Sequence, residues 1–93
     1  MEFLILMSSP SHKLPVVSGR RLIKALQRLG YEIVRQRGSH VRLKKTTEAG
    51  VHSITVPNHL EVAKGTLNDI LTRVSERNQV SKEDLVKLLK KTK

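Results

Sequence analysis

One stretch of the chain combines a residue that can transfer protons with residues that attract phosphate. His40 lies in the run from Arg35 to Lys45, among five Lys and Arg side chains. Histidine is the side chain whose unperturbed pKa lies closest to neutral pH, so it can both accept and donate a proton there. The surrounding cations repel a metal ion but attract a phosphate backbone. The run therefore predicts a site that binds and processes a phosphodiester.

The alternation of residue types predicts how this site is displayed. From His40 onward, polar and apolar residues alternate, which is the pattern of a half-buried strand. Side chains two apart on a strand point the same way, so Arg42 and Lys44 share the face of His40. Val41 and Leu43 then face the core.

The residues just before His40 admit two interpretations. Gly38 and Ser39 can form a tight turn between strands, which their composition favours. They can also contact the ligand, since glycine allows close backbone approach and serine can bond a phosphate oxygen. In either case Arg35 or Arg37, on the preceding strand, is expected beside His40. Taken alone, a histidine in such a strand is more often solvated than catalytic.

The net charge indicates an anionic partner. With 18 Lys and Arg against eight Asp and Glu, the 93-residue chain carries a formal charge of +10. This excess causes self-repulsion, so a nucleic acid, an acidic protein or an anionic membrane is expected, in that order. One Tyr, one Phe and no Trp leave few rings to stack on unpaired bases. Recognition of backbone and shape is therefore favoured.

No metal or other cofactor is expected. The chain has no Cys, and its four His residues lack the spacing of a metal site. The apolar run at residues 3–7 is too short to span a bilayer. It follows Glu2 rather than a basic residue, so it does not resemble a secretion signal.

The remaining pattern predicts an α+β sandwich. A first helix is expected over 19–29, with Ser18 as N-cap and Gly30 as stop. Antiparallel strands and two further helices follow, with the helices on one face of the sheet and His40 on the other. The predicted strands are 31–36, 40–44 and 51–56, with a turn over 46–50; the helices begin near 65 and at 81, separated by a polar break over 75–80.

This pattern also divides the chain into three parts. Residues 1–17 are predicted to be a flexible tail, and residues 18–77 the main domain. A helical extension is expected over 78–93.

Several segments resemble the HicA toxin family of bacterial toxin–antitoxin pairs. The Gly-Ser-His and Val-Pro-x-His motifs are the more specific of them. The resemblance implies a double-stranded-RNA-binding-like fold and a cytoplasmic endoribonuclease that cuts mRNA and arrests translation. The matching segments are Ser18 to Leu26, Leu29 to Glu32, Arg37 to His40, Val56 to His59 and Lys64 to Leu67.

The resemblance also implies residue roles and a partner. His40 would be the catalytic residue, and a HicB-type antitoxin protein would mask the site. His59 is a candidate supporting residue, His52 is expected to be structural, and no second proton-transfer group is identified. The expected RNA or phosphate contacts are Arg35, Arg37, Gly38, Ser39, Arg42 and Lys44.

Two other functions stay open from the residues themselves. The same basic face could belong to a non-catalytic module that binds double-stranded RNA or DNA, or to an adaptor for an acidic protein. Cleavage by the 2′-hydroxyl of RNA needs a base, an acid and charge stabilisation but no metal. A toxin should therefore cleave RNA in the presence of EDTA, whereas a binding module should not cleave it at all.

Overall fold

The computed structural model describes residues 14–93 of the chain. It confirms the predicted α+β class, with the order α-β-β-β-α and an extra C-terminal helix. Of the predicted N-terminal tail, residues 1–13 lie outside the described part. The elements are α1 (Gly19–Arg28), β1 (Glu32–Arg37), β2 (His40–Thr47), β3 (Gly50–Pro57), α2 (Lys64–Asn78) and α3 (Lys82–Lys91).

Helix α1 begins where the sequence predicts and ends one residue earlier, at Arg28. The Ser18 hydroxyl accepts a hydrogen bond from the Arg21 amide at 3.1 Å, which satisfies one of the first-turn donors. The helix stops before Gly30, whose φ of +106° only glycine adopts without strain. Leu22 and Leu26 are buried on its inner face.

The three strands form one antiparallel sheet in the order β1-β2-β3. The predicted turn over 46–50 is too wide, because β2 and β3 stay paired as far as Thr47 and Gly50. The Thr47 hydroxyl accepts from the Ala49 amide at 3.1 Å and donates to the Gly50 carbonyl at 2.8 Å. These local bonds close the hairpin within two residues.

The three helices and the inner face of the sheet share a single hydrophobic core. The outward side chains of the strands are exposed, apart from the half-buried Pro57, and no helix within residues 14–93 covers them. We call this uncovered surface the open sheet face. The largest fully buried side chains are Tyr31, Leu22, Leu26, Leu43, Leu67, Leu71, Leu89, Val41, Val56 and Val74.

The predicted polar break over 75–80 is wrong, because α2 continues to Asn78. The polar residues there have partners within the fold. The Asn78 amide donates to the Tyr31 hydroxyl at 2.9 Å, and the Ser75 hydroxyl donates to the Val80 carbonyl at 2.6 Å. The helix ends at Gln79, which has a left-handed φ of +54°.

Candidate functional site

His40 opens β2 and lies exposed on the open sheet face. It is paired with Arg37 of β1 and with Pro57 of β3. Arg37 and His40 are the two residues on either side of the Gly38-Ser39 turn. The positive φ of Gly38, +59°, is typical of the first position of a type II′ hairpin turn. The turn therefore holds a guanidinium group next to the imidazole.

Arg35 and Arg37 of β1 both lie beside His40. The sequence predicted that one of the two would do so but not which. A register shift between Ile33 and Arg35 adds one residue to β1 relative to β2. Ile33 stays paired with Leu43, while Arg35 is paired with Arg42. Without the extra residue, Arg35 would lie opposite Val41 and turn toward the core-facing side. The bulge is thus compatible with arginines on one face and Ile33 on the other.

These side chains line a shallow depression of about 180 Å³ on the open sheet face. Among residues 14–93, its cationic groups have no ion-pair partner and no side-chain hydrogen bond. A depression with unopposed positive charge and one imidazole can hold a phosphate group within reach of a proton acceptor. Its lining residues are Arg35, Arg37, His40, Arg42 and Thr55.

Lys44 does not join this depression. It shares the open sheet face with His40, as predicted, but its neighbours across the strands are Glu32 and Ser53. It lies four residues from His40 along β2, roughly 13 Å at 3.3 Å per residue. Lys44 can therefore contact a long polyanion but not the phosphate beside His40.

The segment after β3 is bonded to the turn that precedes His40. The Asn58 amide donates to the Ser39 carbonyl at 2.6 Å. Ser39 Oγ lies 3.4 Å from His59 Nε2. His59 therefore contacts the turn, but it does not line the depression. This geometry suits a supporting role better than direct contact with the reacting phosphate.

Gly19, which the sequence marks only as part of a matching segment, is required by the packing around the Ser39 turn. A Cβ at Gly19 would clash with the Pro57 carbonyl oxygen and lie 2.6 Å from the Asn58 Cα. The Gly19 amide also donates to the His59 carbonyl at 2.8 Å. The start of α1 thus packs directly on the segment that holds the Ser39 turn. A glycine immediately after an N-cap residue was the available signal.

His52 is buried and hydrogen-bonded, which fits its predicted structural role, and it lies on the opposite face of the sheet from the depression. It is 7% exposed on the inner face of β3, and its Nδ1 is 2.6 Å from the Tyr31 hydroxyl. Burial lowers the pKa of His52, and the nearby charges of Arg77 and Arg73 lower it further. Burial also raises the pKa of Tyr31, partly offset by its bond from Asn78 and by Arg77.

Residues 14–93 contain neither a cluster of metal-binding side chains nor a helix that could cross a membrane. No group of three or more His, Asp or Glu side chains there could hold a metal ion. None of the helices in that part reaches the length and hydrophobicity needed to traverse a lipid bilayer.

The fold and the basic depression together define a small cationic α+β domain with a solvent-facing histidine. The model of one family, the HicA toxin of bacterial toxin–antitoxin systems, matches residues 19–74. This match covers more than half of the chain, so the protein belongs to the HicA toxin family and is the toxin of a toxin–antitoxin system. No curated protein and no solved structure matches the chain.

Proposed function

We propose that this toxin is an endoribonuclease that cuts mRNA on its open sheet face, with His40 as the catalytic residue. The observation that carries the proposal is the exposed imidazole in a depression lined by three guanidinium groups. A substrate phosphate drawn there by charge lies beside a group that can move a proton at neutral pH. Membership of a family of toxins supports the same conclusion.

The proposed reaction is attack by the 2′-hydroxyl of the RNA on the adjacent phosphorus. His40 accepts the proton of that hydroxyl as the new oxygen–phosphorus bond forms. The bond from phosphorus to the 5′-oxygen breaks, and the leaving oxygen takes a proton from water. The hydroxide left by that water takes the proton held by His40, which restores the neutral imidazole. The products are a 2′,3′-cyclic phosphate and a 5′-hydroxyl. A positioned general base of this kind contributes about 10²- to 10⁴-fold in rate.

The arginines supply the charge that this reaction needs. Negative charge accumulates on the phosphorane oxygens in the transition state, and fixed positive groups stabilise it. Arg37 lies opposite His40, and Arg35 lies opposite Arg42 one row further along the sheet. A planar guanidinium group can contact two phosphate oxygens at once. The site thus pairs one proton-transfer group with several phosphate contacts.

The same surface provides a mode of inhibition. We propose that a HicB-type antitoxin covers the depression and occupies its arginines with acidic side chains. Such binding would exclude RNA and should weaken as the salt concentration rises.

The decisive experiment is cleavage of an end-labelled transcript in buffer containing EDTA. The unmutated protein should produce fragments ending in a cyclic phosphate. His40→Ala should slow cleavage by about 10²- to 10⁴-fold, with unchanged RNA affinity and an unchanged circular dichroism spectrum. Lys87→Gln, on the exposed side of α3, is the control and should cleave normally.

Three outcomes would contradict parts of the proposal. Full activity of His40→Ala would remove the catalytic assignment. Loss of cleavage in EDTA would show that the reaction needs a metal. If the unmutated protein binds RNA in a salt-sensitive manner and never cleaves it, the non-catalytic binding module is the better description.

A further inference from the structure

A second group of cations lies on the helical layer, away from the open sheet face. Helix α1 has no acidic residue in its sequence, and α3 has basic residues in its last turn. We propose that the outer side of α1 and the end of α3 form a second binding surface, which contacts the phosphate backbone of a nucleic acid. This inference does not depend on His40 being catalytic.

The end of α3 is fixed against α1 by two of the α1 cations. Arg21 Nε donates to the Thr92 main-chain oxygen at 2.7 Å. Lys24 Nζ donates to the Lys93 main-chain oxygen at 3.1 Å. Thr92 is the C-cap of α3, so its main-chain oxygen lies at the negative end of the helix dipole, where the bond from Arg21 is favourable. The two helix surfaces are therefore held side by side.

This arrangement gathers these two cations and four others around two adjoining depressions, of about 360 and 540 Å³. Lys24 and Lys93 line both depressions, so the two form one continuous surface. Within residues 14–93, no Asp or Glu side chain lines either of them. Positive groups this close together repel one another, and a bound anion relieves that repulsion. We call this the α1–α3 basic surface; its cations are Arg20, Arg21, Lys24, Arg28, Lys91 and Lys93.

The side chains that line this surface favour a nucleic acid over a protein or a membrane. Protein interfaces are anchored by buried aromatic or aliphatic residues, and helices that lie on membranes insert an apolar face. The apolar residues of α1 are instead turned into the core. None of the large exposed hydrophobic residues in the described part lines these depressions. Binding to a phosphate backbone needs only positive charge.

The surface depends on residues that the family match does not include. That match ends at residue 74, whereas α3 spans Lys82–Lys91. Helix α3 lies outside the match and places its lysines beside α1, which lies within it. Together the two helices form a surface separate from the His40 depression. A nucleic acid held there would stay bound while other parts of it reach the open sheet face.

The test compares two double variants that remove the same charge. Arg28→Gln with Lys91→Gln removes two exposed cations of the α1–α3 basic surface. Lys82→Gln with Lys87→Gln removes two cations of α3 that line neither depression. Binding is measured against salt concentration with a 2′-O-methyl RNA, which lacks the attacking hydroxyl and so separates binding from cleavage.

We expect the first double variant to lower the slope of log K against log salt by about 1.4 to 1.8, since each phosphate contact contributes about 0.7 to 0.9. The control double variant should keep the slope of the unmutated protein. Equal slopes in all three proteins would overturn the proposal. A DNA of the same sequence shows whether the surface prefers one nucleic acid.

Two further probes separate the other anionic partners. Vesicles containing phosphatidylserine test a membrane role, and polyglutamate tests an acidic protein. The proposal predicts that the first double variant loses RNA affinity more than affinity for either probe. If it loses vesicle or polyglutamate binding and keeps RNA binding, the surface serves that other partner and the proposal is wrong.

Discussion

Arg37 and His40 lie directly opposite each other across β1 and β2, joined by a two-residue turn. The pair places a fixed positive charge next to the proposed proton acceptor. Arg37→Gln should slow RNA cleavage by about 10- to 100-fold, since hydrogen bonds to charged groups contribute about 1.5 to 3 kcal/mol. Single-turnover cleavage assays measure this change. An equal loss in Lys87→Gln would show that overall charge, and not this contact, sets the rate.

Gly19→Ala should destabilise the fold. The added Cβ would meet main-chain atoms of Pro57 and Asn58, which cannot move aside as a flexible side chain would. Overpacking of this kind typically costs about 1 to 3 kcal/mol. Urea unfolding gives the free energy of unfolding of the variant. Gly65, also near a helix N-terminus, is the matched control because a Cβ there meets nothing within 4 Å.

Gly65→Ala should leave the stability unchanged or raise it by up to about 1 kcal/mol, since alanine reduces the freedom of the unfolded chain. Equal stabilities of the Gly19 and Gly65 variants would show that α1 can move away from the Pro57 segment at no cost.

A directed chain of hydrogen bonds makes stability depend on pH. Lys45 can only donate, and it donates to Asn78 Oδ1 at 2.6 Å. The Asn78 amide nitrogen then donates to the Tyr31 hydroxyl at 2.9 Å, whose own hydrogen is left for His52 Nδ1. In this direction of the chain, His52 accepts the Tyr31 hydrogen at Nδ1 and is neutral.

Because the pKa of His52 is lowered in the folded state, the unfolded chain binds its proton first as the pH falls. The free energy of unfolding should be highest above about pH 6.5, the ordinary histidine value. It should fall between that pH and the lower pKa of the folded state. Urea unfolding across this range should show the loss, and His52→Gln should remove it. If His52→Gln keeps the same acid dependence, another group is responsible.

The C-terminal helix should be part of the same folding unit as the rest. Leu89 of α3 is 1% exposed and belongs to the common core. Leu89→Ala should lower the free energy of unfolding by about 2 to 5 kcal/mol, the range for a buried leucine. Leu88 is only partly buried, so Leu88→Ala should lower it by less. A small effect of Leu89→Ala would favour the division at residue 78 into a main domain and a separable extension.

Local patterns in the sequence were enough to predict the order of the elements and the display of His40, although not the full length of α2 or of the β2–β3 hairpin. The apolar spacing in α1 and the alternation in β2 each reflect one face turned to a core. They correctly placed Val41 and Leu43 inside and His40 and Arg42 outside. These predictions succeed because the direction of a side chain follows from the period of its own helix or strand.

The tertiary structure decided the register of the strands and the contacts between residues distant in sequence. A one-residue bulge in β1 determines that Arg35 is paired with Arg42, and no local pattern in the sequence predicts this bulge. The approach of Gly19 to Pro57 and the docking of α3 on Arg21 join residues far apart in the chain. Register and long-range packing depend on several elements together, so no single segment of the sequence encodes them.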